Sequence, residues 1–204
     1  MSSAGPGRRR GRPASAEKVA GEPGTRDRIL SSARAEFAES GYDKASVRAI
    51  ARGAGVDSAL VHHYFGTKEQ VFVAAVEGAF APAMDIPDLL SGGREQWGEQ
   101  LAGYVLGIWE DTVTRDPLLA IMRSAVANET AAAIFRGLIG RNLLRRVAGN
   151  LGAPDAELRV ELAVAQLVGT ALLRYVIKLE PIASVPVEEL AGRLGPVVQR
   201  HLTG

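Results

Sequence analysis

The sequence contains no cysteine, few aromatic residues and no long uninterrupted apolar run. Without cysteine the chain forms no disulfide and carries no thiolate chemistry, which is compatible with a reducing compartment. No apolar run reaches the roughly 18–20 residues that span a bilayer, and the basic N-terminus lacks the apolar stretch of a secretory signal. We therefore expect a cytoplasmic protein that does not enter a membrane.

Motifs for catalysis and metal binding are also missing. The sequence has no Gly-rich phosphate loop, no Gly-x-Ser-x-Gly elbow and no cluster with metal-ligand spacing. Its only histidines are His62, His63 and His201. Neighbouring residues on a helix diverge by about 100°, so the side chains of His62 and His63 cannot chelate one ion. We therefore predict that the protein is not an enzyme and uses no metal or cofactor.

The chain does contain many apolar residues at helical spacing. Apolar residues make up 47% of the sequence and charged residues 23%, which suffices for a packed core. The apolar positions recur every three to four residues and do not alternate as in strands, which predicts an all-α fold. Residues 1–24 differ because they are rich in Gly, Pro, Ser and Arg, and we predict a disordered basic arm there.

Capping residues and helix breakers divide residues 25–82 into four predicted helices. In chain order, the boundaries fall at Thr25 and Gly41, at Ser46 and Gly55, at Asp57 or Ser58, and at Thr67 and Pro82. The first three helices predict a helix-turn-helix domain over residues 25–66. The fourth predicts a connecting helix over residues 67–82.

A second helical domain is predicted over residues 83–204. It opens with a linker that contains Pro87 and the pair Gly92-Gly93, and Asp116 followed by Pro117 predicts a capped helix start. The helices are expected at about Glu95–Thr114, Pro117–Ala127, Glu129–Asn150, Pro154–Leu179 and Pro186–Leu202.

The second and third predicted helices have the layout of a DNA-reading pair. Both are short, and a tight turn with glycine joins them, which suits insertion of the later helix into a major groove. Four residues of that helix face outward and can reach base edges: Ser58, Ala59, His62 and His63. Tyr64 and Lys68 are suited to phosphate oxygens. The charge of this part is consistent with binding to DNA, because residues 1–78 carry 12 Lys/Arg against 9 Asp/Glu.

Residues 25–76 resemble the N-terminal domain of the TetR (tetracycline-repressor) family of regulators. The resemblance rests on the stretches RILSSARAEFAESGYDKASVRAIA and GVDSALVHHYFGTKEQVF. It implies a homodimer in which each subunit reads one half of a double-stranded DNA operator. It also assigns phosphate contacts to Ser46, Tyr64 and Lys68, and base-facing positions to the four outward residues. The sequence departs from the family at His62, where Tyr is frequent, and at Leu60, where Thr is frequent.

The arm contains a Gly-Arg-Pro core with basic flanks, formed by Arg8, Arg9, Arg10 and Arg12. This pattern resembles an AT-hook, because extended arginines fit the narrow and strongly negative minor groove of A·T tracts. The alternative is a tail that attracts polyanions without sequence preference.

The resemblance also implies a ligand pocket in the second domain, for an unknown small-molecule effector. Four candidate lining residues are Trp97, Tyr104, Trp109 and Met122, although each could equally belong to the core. The two last predicted helices are apolar enough to form a dimer interface by four-helix packing. The candidate interface residues are Leu172, Val176, Leu190, Leu194 and Val198, and internal packing is the alternative.

These observations predict a DNA-binding transcriptional regulator. We expect a ligand-responsive repressor that binds a pseudo-palindromic operator as a homodimer and is released by a small molecule. The alternative is an architectural DNA-binding protein that has no effector.

Overall fold

The computed structural model describes residues 24–90 and 93–204, and all regular structure in these ranges is helical. The predicted all-α fold is therefore confirmed. Four helices make up the N-terminal part, which we call the head: α1 (Thr25–Lys44), α2 (Val47–Ala54), α3 (Ser58–Phe65) and α4 (Lys68–Ala79).

The remaining helices, which we call the body, are α5 (Ile86–Leu89), α6 (Trp97–Glu110), α7 (Thr112–Ala127), α8 (Glu129–Ile139), α9 (Arg145–Gly149), α10 (Ala156–Ala171) and α11 (Val187–Thr203). Two short 3-10 segments precede α5 and α6, at Ala81–Asp85 and Arg94–Gln96. Two π-helical segments also occur. One, Gly140–Leu144, joins α8 to α9, and the other, Leu172–Ile177, extends α10.

Side-chain caps start the three short helices of the head at the predicted places. The Ser46 hydroxyl accepts the N–H of Ala49 at 3.1 Å at the start of α2, and the Asp57 carboxylate accepts that of Ala59 at 2.7 Å at the start of α3. Thr67 and Gln70 form a reciprocal capping box at the start of α4. These bonds satisfy N–H groups that a helix start leaves without a partner, and they fix where each helix begins.

An aromatic cluster holds the head together. The ring of Phe72 meets the rings of Phe37 and Tyr42 edge-on, each with 5.0 Å between centroids. Ile50 and Val61, from α2 and α3, are fully buried against the same core. Because Val61 is the inward side of α3, the opposite side of this helix must face outward.

Two boundaries predicted for the body are wrong. The segment after Pro82 is not a linker, since it forms a 3-10 turn and α5, and Ile86 and Leu90 lie in the core. The pair Asp116-Pro117 does not start a helix, because Asp111 caps α7 five residues earlier through the N–H of Val113. Pro117 therefore lies inside α7.

Helices α6 and α11 cross at very short range. A Cβ atom built on Gly98 would lie 2.2 Å from the carbonyl oxygen of Gly195 and 2.6 Å from the backbone nitrogen of Gln199. The N–H of Gly98 also donates to the side-chain oxygen of Gln199 at 2.7 Å. Only two glycines allow backbones to approach this closely.

The helical stretch Ala156–Ile177 is long and apolar enough to cross a membrane by length and composition, and about a third of its apolar window is buried in the chain. The core helix of a water-soluble protein meets the same criteria. Its exposed apolar residues include Leu158, Leu162, Leu173 and Ile177. The extension after Ala171 contains Arg174. The buried guanidinium of this residue donates to the carbonyl oxygens of Ile182 and Val185, in the segment that follows the extension.

Candidate DNA-binding surface and apolar cavity

The structure brings the four predicted base-facing residues together on α3. Ala59, His62 and His63 are exposed and Ser58 is half-buried, whereas Val61 on the opposite side is fully buried. Leu60, which we interpreted as a packing residue, is half-buried. The exposed side of α3 therefore carries small side chains at its start and two imidazoles at its end.

His62 makes a hydrogen bond that fixes its ring. Its Nδ1 lies 2.7 Å from the carbonyl oxygen of Gly66, the residue that ends α3. Since a carbonyl oxygen only accepts, Nδ1 must carry a proton, and in the neutral ring Nε2 is then an acceptor. His62 thus presents Nε2 outward in a fixed orientation.

The residues predicted to contact phosphates lie on three neighbouring helices: Ser46 at the start of α2, Tyr64 on α3 and Lys68 at the start of α4. Tyr64 is 44% exposed, and the hydroxyl of Ser46 is already engaged as the cap of α2. The Lys68 ammonium donates to the carbonyl oxygens of Tyr42 at 2.9 Å and Asp43 at 3.3 Å, and it lies 4.6 Å from the centre of the Tyr42 ring. Lys68 therefore joins the start of α4 to the end of α1.

Several exposed cations of the head were not among the predicted site residues. They include Lys44, Arg48 and Arg52, and none of these three has a carboxylate within ion-pair distance in the described part of the chain. Arg48 and Arg52 are four residues apart, so they share one side of α2. This spacing was visible in the sequence. The arm residues Arg8, Arg9, Arg10 and Arg12 lie outside the described residues.

The body encloses a cavity of about 360 Å³. Its walls come from α6, α7, α8, α10 and the segments after α4 and α8, and they include Leu101, Val105, Leu118, Phe135, Leu144 and Val164. Of the four predicted pocket residues, Trp109 and Met122 line it. A volume of this size falls within the range of small-molecule sites.

The other two predicted pocket residues do not line the cavity. Trp97 is buried at the start of α6, with the guanidinium of Arg94 5.4 Å from its ring. The hydroxyl of Tyr104 donates to the carbonyl oxygen of Pro82 at 2.8 Å, which ties α6 to the segment that follows the head. The sequence pattern left pocket and core as alternatives for all four residues, because helical spacing does not reveal which side chains border a void.

Helix α7 connects the cavity to the head. Leu118 and Met122 line the cavity, whereas the buried hydroxyl of Ser124 on the same helix donates to the carbonyl oxygen of Phe37 at 3.4 Å. At the end of α7, the amide of Asn128 donates to the carboxylate of Asp43 at 2.7 Å. The side-chain oxygen of Asn128 also accepts the N–H of Ala131 and so caps α8.

The structure places the predicted dimer-interface residues in two environments. Leu190 and Val198 are 7% and 0% exposed, because the side of α11 that carries them packs on α6 within the same chain. Leu172, Val176 and Leu194 are half-buried. We call the large exposed apolar residues of α10, its extension and α11 the apolar face: Leu158, Leu162, Leu173, Ile177 and Val197.

A capped helix-turn-helix joined to a helical body with an internal cavity has the architecture of a DNA-binding regulator. Comparison with known families agrees. Residues 29–75 match the family described as bacterial regulatory proteins, tetR family, and residues 95–202 match the tetracyclin repressor-like C-terminal domain. The chain belongs to the TetR family of transcriptional regulators.

The similarity to a TetR-family regulator from Streptomyces coelicolor A3 extends over nearly the whole chain. That crystal structure is 39% identical, aligns with a TM-score of 0.68, and covers 91% of this chain and 100% of its own. Two curated relatives match over shorter lengths. The HTH-type transcriptional regulator BetI of Rhizobium meliloti is 37% identical over 68 residues, and the HTH-type transcriptional repressor AcnR of Corynebacterium efficiens is 42% identical over 50 residues. These matches span 34% and 27% of the two relatives, and 33% and 24% of this chain.

Proposed function

We propose that this TetR-family regulator is a ligand-responsive repressor that binds a pseudo-palindromic operator as a homodimer in the cytoplasm. The observation that carries the proposal is the continuous path from the exposed side of α3, through the head core and α7, to the apolar cavity. Helix α7 thereby contacts both the ligand-sized cavity and the head that carries the DNA-reading surface. The name of AcnR, a repressor, supports the direction of regulation.

On DNA, α3 enters the major groove and its exposed side reads bases. Ser58 and Ala59 allow a close approach, and the fixed Nε2 of His62 accepts a hydrogen bond from a cytosine or adenine amino group. Tyr64 and Ser46 contact phosphates on the two sides of the groove. The capping box at the start of α4 engages the N–H groups of Thr67 and Gln70, and it leaves those of Lys68 and Glu69 available to an anion, which a helix start favours.

Arg48 and Arg52 add electrostatic affinity to this surface. Both are exposed on α2 without an ion-pair partner in the described residues, so their charge is available to the DNA backbone. The arm supplies further affinity from the minor groove. Deleting residues 1–20 is expected to reduce both operator affinity and its salt dependence, and unchanged values would refute a role for the arm.

The apolar face pairs two copies of the chain. Exposed apolar residues of α10 and α11 are concentrated there, and antiparallel pairing of two such helix pairs buries them in a four-helix arrangement. A symmetric dimer presents its two α3 helices to half-sites one helical turn, about 34–36 Å, apart. Cavity occupation changes this spacing, because α7 contacts both the cavity and the head.

Selection of binding sites from random double-stranded DNA tests the function. We expect one pseudo-palindrome to be preferred over random sequence by roughly a thousandfold or more. Binding without such a preference would indicate the architectural alternative. Repeating the selection with H62A and H63A tests the reading of bases, since each is expected to cost about 1–3 kcal/mol and to relax the preference at one position. An equal loss on all sequences would refute the assignment of these two histidines.

A further inference from the structure

The lining of the cavity has an unusual distribution of charge. Of its twenty described lining residues, Glu161 is the only one that ionises, and none is Lys, Arg or His. Glu161 is itself exposed, which places this residue at the opening, and the walls are almost entirely apolar. Among the described residues, the lining therefore has one negative charge, at its mouth, and no positive charge.

The carboxylate at the mouth has no ionic partner among the described residues. Glu157, one turn earlier on α10, pairs with Arg145 at 3.6 Å, whereas Glu161 has no cation within ion-pair distance. A ligand with a carboxylate or phosphate would bring a second negative charge next to Glu161. Such a charge is costly to desolvate without a counter-charge.

Aromatic rings line the same cavity. The rings of Phe80 and Phe135 meet edge-on with 5.3 Å between centroids, and Trp109 borders the cavity from α6. The face of an aromatic ring attracts a cation and also packs well against an apolar ligand. Both properties favour a ligand that combines an apolar part with a positive charge.

We propose that the effector is an amphiphilic cation, with its apolar part in the cavity and its positively charged nitrogen at Glu161. This inference rests on the proposed function only in calling the ligand an effector. The binding itself follows from the lining, which solvates an apolar chain and offers one carboxylate as counter-ion.

A series of probes with one chain length and three head groups tests the charge preference. Decyltrimethylammonium, 1-decanol and decanoate are titrated into the full-length protein below their micelle concentrations, and their dissociation constants are measured by calorimetry. We expect the cation to bind most tightly and decanoate least. Decanoate binding as tightly as the cation, or no binding of the cation, would overturn the proposal.

Two matched variants of α10 assign the effect to one carboxylate. E161Q is expected to weaken the cation by roughly three- to tenfold, as for a partly exposed ion pair, and to leave 1-decanol unchanged. E157Q removes a carboxylate that is already paired and is expected to change neither ligand. An equal effect of E161Q on all three probes would refute the assignment.

Operator binding separates this inference from the proposed function. If the cation binds through Glu161 and leaves operator affinity unchanged, the ligand class stands and release by ligand is refuted. If only decanoate or 1-decanol releases the operator, the ligand class is refuted and the ligand-responsive function stands.

Discussion

Three of the four helix starts of the head have a side-chain cap, whereas most helix starts of the body have none. Helices α2, α3 and α4 each have a side-chain cap, but α6, α9, α10 and α11 have none. The body also contains two π-helical segments and two prolines inside helices, at Pro117 and Pro196. A π segment is frequent at functional sites, and Leu143 and Leu144 of the first one line the cavity.

This difference agrees with the two tasks that we propose for the chain. A DNA-reading surface must hold several side chains at fixed distances, so its helices must begin at defined residues. A ligand-responsive body needs packing that can change.

The largest expected effect concerns the apolar face, through which we propose that two bodies pair. L162E puts a charge on this face, where Leu162 is 43% exposed. We expect a monomer by sedimentation, and a loss of operator affinity of roughly a thousandfold, towards that of non-specific binding. The matched control is V126E, because Val126 is 89% exposed and lies on α7, outside the apolar face. A dimeric L162E variant with normal operator affinity would show that two heads are joined by some other surface.

The second prediction tests whether the body depends on one close helix crossing. G98A forces a Cβ into backbone atoms of α11, and we expect a loss of about 1–3 kcal/mol or more in the free energy of unfolding. G107A on the same helix is the control, since a Cβ there meets nothing within 4 Å. Removing this helical glycine should stabilise α6 by about 0.5–1 kcal/mol.

The measurement can distinguish body from head. Both tryptophans of the chain, Trp97 and Trp109, lie on α6, so their fluorescence during urea unfolding reports on the body, while circular dichroism reports on all helices. If G98A shifts both signals equally, head and body unfold as one unit. Equal stabilities of G98A and G107A would contradict the close crossing.

The third prediction concerns the contact between the two parts. N128D keeps an acceptor that caps α8, but it replaces the donor to Asp43 by a carboxylate, so the hydrogen bond between α7 and the head is lost. We expect the operator affinity to become several-fold less sensitive to ligand, while the stability of α8 is retained. The double variant N128D/D43N restores one donor and one acceptor and should recover the response. A normal response in N128D would mean that coupling does not pass through this contact.

The same contrast between head and body explains how much of each part the sequence predicts. Ser46, Asp57 and Thr67 start helices through bonds to residues two or three positions away, so sequence alone locates them. Leu190 and Val198 look equally suited to an interface or a core, and only the crossing of α6 and α11 decides that they are internal. The cavity is harder still, because the void next to Trp109 and Glu161 is lined by residues of several helices that lie far apart in the sequence.

The smallest expected effect is a dependence of body stability on alkaline pH. Burial, and then the hydrogen bond that Tyr175 donates to the carboxylate of Glu110, raises the pKa of Tyr175 from its ordinary 10 to about 12. The neutral phenol is thus favoured in the folded chain. Its contribution to stability is fully present below pH 10 and is lost as the pH rises towards 12.

Y175F removes this titration and should flatten the pH dependence of unfolding between those values. Tyr42 in the head and Tyr104 in the body also have a raised pKa, chiefly through burial, and both remain in the variant. The difference between wild type and Y175F therefore isolates one phenol. The effect should be modest, because Glu110 is more than half exposed and solvent screens its interaction with the ring. Parallel stability curves for the two proteins would show that folding does not raise the pKa of Tyr175.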